Sequence, residues 1–144
     1  MFGSKQKKAP LIEISKLSSL IAEDVEITGD LHFAAGLRID GTLKGNAVGK
    51  PGEGKRHSLL VLSDKGRVEG SIRCYDAVIN GTVIGDLVVE HFLELQPNAH
   101  VTGTIRYQQL QMDVGAVVEG QLNKTTSPEV SATVVELEQA RSAG

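Results

Sequence analysis

The sequence is poor in residues that crosslink a fold or form large aromatic binding surfaces. Its 144 residues include one cysteine, Cys74, no tryptophan, two tyrosines and three phenylalanines. A lone cysteine excludes an intramolecular disulfide and is typical of a reducing compartment. The sequence also lacks a long apolar run, and the lysines of MFGSKQKKAP precede no hydrophobic stretch. We therefore expect neither a membrane-spanning helix nor a secretion signal.

The charge balance and its distribution divide the chain into three regions. With 15 basic and 18 acidic side chains and few aromatic rings, the chain is not expected to bind nucleic acid. Lysines dominate the first residues, and residues 1–18 are predicted to be a flexible basic arm. Residues 19–124 are predicted to form one folded domain with a Val, Ile and Leu core, a composition that favours strands. The small polar residues and the proline of TTSPEVSA predict a disordered tail over residues 125–144.

One short pattern recurs through the middle of the chain: an apolar residue, any residue, glycine, any residue and a second apolar residue. Its glycines advance by 16, 25, 15, 18 and 17 residues. The excess in the long step matches the length of GKPGEGKR, so residues 49–56 are predicted to be a loop inserted into a regular array. The apolar members of the pattern form two predicted inward columns. These are Ile27, Leu43, Val68, Val83, Val101 and Val118 in the first, and Leu31, Ala47, Ile72, Leu87, Ile105 and Leu122 in the second.

A second series of residues that accept unusual backbone conformations precedes the patterned glycines by four or five positions. A corner of this kind needs either a positive φ or room for the neighbouring turn, and a β-carbon obstructs both. A softer third corner falls at polar pairs such as Tyr75-Asp76. A period near 17 with three corners is typical of a parallel β-solenoid, here of about six triangular turns. The predicted glycine corners are Gly29, Gly41, Gly45, Gly66, Gly70, Gly81, Gly85, Gly103, Gly115 and Gly120, with Asp24 and Asn98 in equivalent places.

The two ends of the predicted solenoid decide whether the protein is a monomer or a polymer. Natural solenoids usually close their end turns with a helix or a polar turn. Here the stretch before the first turn, LIEISKLSSLIAED, is short and mixed, and NKTTSP follows the last turn directly. Open ends would bind a second copy through strand edges and apolar side chains, whereas termini that fold back would leave a monomer. The apolar residues predicted at the interface are Val25, Ile27, Leu31, Val117, Val118 and Leu122.

The chain resembles the bactofilins, a family of bacterial cytoskeletal proteins, in the phrases MFGSKQKK, LRIDGTLKGN, VINGTVIGDLVVEHFLEL and LQMDVGAVVEGQL. The similarity covers about residues 19–124 and the N-terminal octapeptide. It implies an all-β fold, a right-handed parallel β-helix with disordered N- and C-terminal ends. It also implies assembly without nucleotide into non-polar filaments in which like ends meet, head to head and tail to tail. Bactofilins are cytoplasmic scaffolds, often peripheral on the inner face of the cytoplasmic membrane, that position cell-wall enzymes.

The basic arm is predicted to contact an anionic membrane surface through Met1, Phe2, Lys5, Lys7 and Lys8. Each lysine near an anionic leaflet contributes about 1 kcal/mol, and the two apolar side chains add area for burial. A single arm would bind loosely, but a filament that presents many arms would bind firmly. The alternative is a solvated arm without a membrane role.

The chain departs from the family pattern at two places. Many bactofilins carry an aromatic residue at the position of Val118, where it contributes to the C-terminal contact. Valine removes less apolar area from water, so we expect a weaker joint or a larger share for Val117 and Leu122. The loop over residues 49–56 is also longer than the usual connection, which leaves open how the surface around the second turn is used.

Three other features of the sequence could indicate an enzyme, but each lacks a part that the chemistry requires. The loop nearly matches a phosphate-binding motif, but Arg56 stands where Ser or Thr would hold Mg²⁺, and a strand pattern follows instead of a helix. The four histidines fall at unrelated repeat positions, and no base is evident for Cys74. We therefore expect no enzyme and assign no catalytic, cofactor-binding or metal residue.

An enzyme from another class remains the alternative. The segment ITGDLHFAAGLRIDGTLK steps by six residues, as in left-handed hexapeptide-repeat helices that include acyltransferases and trimeric metal enzymes. The hexad is not sustained beyond residue 44, where the spacing per turn no longer divides into sixes. A structural polymer is therefore the preferred hypothesis.

Overall fold

The described part of the chain folds entirely as short parallel strands. The structure is a computed structural model and describes residues 17–50 and 57–125; the rest of the predicted arm, loop and tail lies outside these ranges. The strands are β1 Leu17–Ile21, β2 Glu26–Thr28, β3 Leu31–Phe33, β4 Gly36–Ile39, β5 Thr42–Lys44, β6 Ala47–Gly49, β7 Leu59–Leu62, β8 Arg67–Glu69, β9 Ile72–Ile79, β10 Thr82–Ile84, β11 Leu87–Leu95, β12 His100–Tyr107, β13 Gln109–Met112 and β14 Val117–Lys124.

These strands stack into a solenoid with three flat faces and six turns, called rungs 1 to 6 in chain order. Face A contains β2, β5, β8, β10 and the first halves of β12 and β14. Face B contains β3, β6, the starts of β9 and β11, and the second halves of β12 and β14. Face C contains β1, β4, β7, the ends of β9 and β11, and β13. The predicted all-β parallel solenoid is confirmed.

The core follows the predicted columns on two faces and adds a third face. On face A, Val83 pairs with Val68 below it and Val101 above it, as the first predicted column requires. On face B, Leu87 pairs with Ile72 and Ile105, as the second requires. Face C contributes two further inward columns, which complete the core. They are Leu37, Leu60, Ala77, Leu93 and Leu110, and Ile21, Ile39, Leu62, Ile79, Leu95 and Met112.

The corner between faces A and B requires glycine for two reasons. Its glycines have φ angles between +130° and +155°, a region that residues with a β-carbon rarely adopt. From rung 2 onward, a β-carbon would also overlap the carbonyl oxygen of the equivalent glycine one rung before. These glycines are Gly29, Gly45, Gly70, Gly85, Gly103 and Gly120.

In rungs 2 to 4, the corner between faces C and A requires glycine only because there is no space for a side chain. Gly41, Gly66 and Gly81 are not among the glycines with positive φ. A β-carbon on Gly81 would overlap the carbonyl oxygen of Ser63, and Gly41 is blocked in the same way by Ala22. Of the two reasons given for a glycine corner, room for the neighbouring turn therefore applies at these three positions, because close packing of adjacent turns excludes a side chain. In rung 6, Gly115 does have a positive φ, of 106°.

The structure moves two predicted boundaries by one or two residues. Strand β1 begins at Leu17 and so takes two residues from the predicted arm. Gly49 is the last residue of β6 and pairs with Phe33, so the predicted insertion loses its first residue to the sheet. The rung 1 triangle is complete, since β1 supplies its face C side.

Candidate polymer interface

The C-terminal end of the solenoid exposes apolar side chains whose counterparts in the preceding rung are buried in the core. Val118 continues the column of Val101 and packs against the core, but it is only half-buried. Leu122 continues the column of Ile105 and is 41% exposed. On face C, Met112 continues the column of Leu95 and is also exposed. The end of rung 6 therefore presents an apolar surface made from inward columns.

Two flanking residues enlarge this apolar end differently. Val117 pairs with His100 and so lies on the outer side of face A, beside the end rather than on it. Val114, in the turn before β14, is 96% exposed. Sequence analysis missed Met112 and Val114 because it did not recognise the face C columns. A register assignment for face C would have found Met112.

The N-terminal end is similar in kind but better covered. Ile27 and Leu31 are half-buried and pack against the core, at the start of the two predicted columns. Ile21 and Phe33 in the same rung are buried. Val25 is the more exposed member of the predicted set at this end, and its carbonyl accepts a hydrogen bond from Thr42 N–H at 3.0 Å. The predicted interface residues thus separate into two groups, one at each end.

Both end rungs also have open strand edges among the described residues. In rung 6, β13 pairs only with β11 and β14 only with β12. In rung 1, β1, β2 and β3 each pair with a single strand of rung 2. An open parallel edge exposes unpaired backbone donors and acceptors, which a strand from another copy can satisfy. Each end therefore combines backbone and apolar complementarity for self-association.

The predicted inert character of Cys74 has a geometric basis. Its side chain is buried, and the thiol donates a hydrogen bond of 3.3 Å to the carbonyl oxygen of Asp76. Burial, with the Asp76 charge nearby, raises the pKa of the thiol. The thiolate that nucleophilic chemistry needs is therefore disfavoured.

Two histidines that sequence analysis treated as unrelated come together at the corner between faces B and C. Tyr75 stacks on His57 at a centroid distance of 3.9 Å and on His91 at 4.8 Å. The Nδ1 atom of His91 lies 2.8 Å from a carboxylate oxygen of Asp76. Over residues 17–50 and 57–125, no cluster of three or more His, Cys, Asp or Glu could hold a metal ion. The three rings form one continuous stack along this corner.

A cavity of about 770 Å³ lies on the outer side of face B. Its lining includes Arg73, Val88, Glu90 and Arg106, and the Arg73 guanidinium lies 3.7 Å from the Glu90 carboxylate. The cavity is thus amphipathic and opens on the side of the solenoid, with Thr125 of the last rung at its edge.

The remaining predicted site residues lie outside the described residues. These are the membrane-contact residues Met1, Phe2, Lys5, Lys7 and Lys8. The near match to a phosphate-binding loop is also undescribed over residues 51–56. Within the described ranges, no helix has the length and apolar character needed to cross a membrane.

Comparison with known proteins identifies the fold and its family. The family model described as "Bactofilin: Polymer-forming cytoskeletal" matches residues 19–123. A solved structure, the cryo-EM reconstruction of Thermus thermophilus bactofilin double helical filaments, is similar with 28% sequence identity and a TM-score of 0.63. The similarity covers 75% of this chain and 100% of the Thermus chain. None of the curated proteins compared with the chain matches it. A cytoskeletal family description favours the filament hypothesis over the hexapeptide-repeat enzyme.

Proposed function

The chain belongs to the bactofilin family of polymer-forming cytoskeletal proteins, and we propose that it forms non-polar filaments by stacking solenoid ends, without nucleotide and without catalytic activity. The observation that carries this proposal is the pair of end rungs covered from one side only, each with an open strand edge and an apolar surface. Stacking a second solenoid on an end extends both the sheet and the core columns. The filament is then a continuation of the fold.

Like ends meet in the proposed filament. When two C-terminal ends join, each subunit contributes the same surface, which is the geometry of a two-fold contact. The N-terminal ends join in the same way, so successive subunits alternate in direction and the filament has no polarity. At the C-terminal joint, burial of Val118, Leu122 and Met112 removes further apolar area from water. Each contributes less than the roughly 1.5–3 kcal/mol of a fully exposed side chain, because each is already partly buried.

Electron microscopy of the purified chain tests the joint directly. We expect filaments without added ATP or GTP, and we expect Val118→Asp to abolish them while leaving a folded monomer, because a charge would enter a desolvated contact. Ile84→Asp is the matched control, since Ile84 is 41% exposed on the side of rung 4. That variant keeps its filaments. Unchanged filaments with Val118→Asp would show that the C-terminal rung is not the joint.

We also propose that the basic arm attaches the filament to the inner face of the cytoplasmic membrane. Support comes from the composition of residues 1–8, which combine three lysines with Met1 and Phe2. Repetition of the arm along a filament raises its avidity far above that of one copy.

Flotation with lipid vesicles tests the arm. Deleting residues 1–8 is expected to abolish binding to anionic vesicles without affecting filament formation. A second variant, with Lys5, Lys7 and Lys8 replaced by glutamine, tests the electrostatic share and should behave like the wild type on neutral vesicles. Loss of filaments on deletion would place the arm in the joint instead.

A filament held at the membrane is proposed to position cell-wall or morphogenesis proteins. Support for this role comes from the position of the face B cavity on the side of the solenoid, where residues of rungs 3 to 5 form most of its lining. In cells, Val118→Asp is expected to disperse the pattern of new cell-wall labelling relative to Ile84→Asp. An identical labelling pattern in both variants would refute the scaffold role.

A further inference from the structure

The outer side of face C carries an apolar cluster separate from the core. Leu59, Val78 and Phe92 are buried, and Val61 packs against them half-buried. Each of these residues alternates with inward core residues along its strand, so the cluster lies on the outside of the sheet. In register, Val61 neighbours Val78, whereas Leu59 and Phe92 lie on either side of Asp76.

The burial of this cluster exceeds what a single sheet provides. Val78 is 5% exposed, whereas Ile84 in the same rung, on the outer side of face A, is 41% exposed. Both are β-branched residues in strands that have neighbours on both sides. Adjacent strands therefore do not account for the difference. An additional layer must cover the outer side of face C.

The chain outside the described residues offers three segments as this layer. The loop over residues 51–56 is PGEGKR, which has too little apolar area to cover four side chains. The segment APLIEISK, residues 9–16, contains Leu11, Ile12 and Ile14. The tail over residues 126–144 also contains apolar residues, so position and charge must decide between the two termini.

Position places residues 9–16 beside the cluster. Leu17 begins β1 on face C and pairs with Gly36, which pairs in turn with Leu59. The cluster spans rungs 3 to 5, which lie roughly 10–20 Å from rung 1 at about 4.8 Å per rung. An extended chain advances about 3.3 Å per residue, so residues 11–16 reach this distance without crossing a corner.

Charge disfavours the tail as the covering segment. Two carboxylates flank the cluster. Asp76 is in register with Leu59 and Phe92, and its carboxylate lies 2.8 Å from His91 Nδ1. Glu94 is in register with Val78. Arg38, the cation in the same outer column, is paired with Asp40 at 2.8 Å. Residues 9–16 carry one lysine and one glutamate, a net charge of zero, whereas residues 126–144 carry one arginine against three glutamates, a net charge of −2. The acidic tail would add charge of the same sign to the flanking carboxylates.

We propose that residues 9–16 of the same chain lie along the outer side of face C and cover Leu59, Val61, Val78 and Phe92. Docking fixes the root of the arm on one side of the solenoid, away from both end rungs. Residues 1–8 then project sideways from every subunit. The docking does not depend on filament formation, and the two can fail separately.

Thiol labelling of Val78→Cys tests the docking in the full-length chain. The native Cys74 is buried with a raised pKa, so it contributes a slow background. We expect Val78→Cys to react slowly with a maleimide and at least about tenfold faster when residues 1–16 are deleted, because the covering layer is lost. The double substitution Leu11→Asp and Ile14→Asp should give the same acceleration while keeping β1 intact. Ile84→Cys is the matched control and should react rapidly in every background.

Three further backgrounds identify the covering layer. Deletion of residues 1–8 and deletion of residues 126–144 should each leave Val78→Cys slow. Acceleration by the second deletion would assign the cover to the tail, and acceleration by Val118→Asp would assign it to a second copy. Either result overturns the proposal, as does a rate that the deletion of residues 1–16 and the double substitution leave unchanged.

Discussion

The middle and the ends of the solenoid contain the same residue types in the same columns, yet their burial differs. Leu87 in rung 4 is fully buried, whereas Leu122 in rung 6 of the same column is 41% exposed. Val83 is buried and Val118 is half-buried in the other predicted column. The difference arises because a terminal rung is covered from one side only. Position in the stack therefore decides whether a repeat residue stabilises the fold or supports assembly.

Substitution at the corner between faces A and B should give the largest contrast between middle and end. In Gly85→Ala, the β-carbon would overlap the carbonyl oxygen of Gly70 at a φ of +146°. We expect a loss of more than about 4 kcal/mol in the free energy of unfolding. Gly29→Ala has a φ of +130° but open space, so its cost should be about 1–3 kcal/mol. Urea denaturation measures both, and equal losses would show that crowding between rungs is not the cause.

The leucine pair should give the next largest contrast. Leu87→Ala removes a fully buried side chain and is expected to cost about 2–5 kcal/mol. Leu122→Ala should cost below about 1.5 kcal/mol in the monomer, since the side chain is already partly exposed. Its effect should appear in assembly, as a higher critical concentration measured by sedimentation. A critical concentration equal to that of the wild type would show that the exposed Leu122 side chain does not contribute to assembly.

A polar ladder beside the glycine corner predicts a smaller contrast. The Asn46 side chain accepts a hydrogen bond of 2.8 Å from Ser71 N–H, and Asn46 N–H donates to Asp30 at 3.0 Å. Removing the first of these bonds with Asn46→Ala is expected to cost about 0.5–1.5 kcal/mol. Gln121→Ala, at the equivalent place in rung 6, should be nearly neutral because no rung follows it in the monomer. Chemical denaturation of the two variants tests this contrast.

The smallest expected effect comes from ion pairs on the solenoid side. The Arg38 guanidinium, hydrogen-bonded to Asp40, lowers the pKa of that carboxyl below its usual value of 3.8. The pKa of Asp40 is thus lower in the folded state than in the unfolded state. The pair therefore stabilises the fold at pH values above the unfolded-state pKa. This stabilisation is lost as the pH falls through the folded-state pKa. Asp40→Asn should therefore reduce the acid sensitivity of the urea midpoint only slightly, because the pair is solvent-exposed. A large change would indicate hidden burial of this pair.

Sequence periodicity predicted a triangular solenoid and the inward columns of two faces, but not those of the third face. Faces A and B are marked by a glycine between their inward residues, so the Val83 and Leu87 columns could be assigned in register. Face C has no such glycine, and its strand LLVL is apolar on both sides. Because Leu59 and Val61 on the outer side are apolar as well, the strict alternation that identifies an inward face is lost. The same loss concealed the contribution of Met112 to the C-terminal end.

The sequence by itself determined the repeat, the glycine corners and the strand-rich core, because each follows from local spacing and from the sterics of a missing β-carbon. Its family phrases likewise pointed to a polymer. Only the tertiary structure decided which corner glycines need a positive φ and which need room, because that depends on the carbonyl of the neighbouring rung. It also separated buried from exposed members of each column and showed that Leu59, Val78 and Phe92 are buried on the outer side of face C. Burial depends on what stacks above, below and outside a residue, and no short stretch of sequence contains that information.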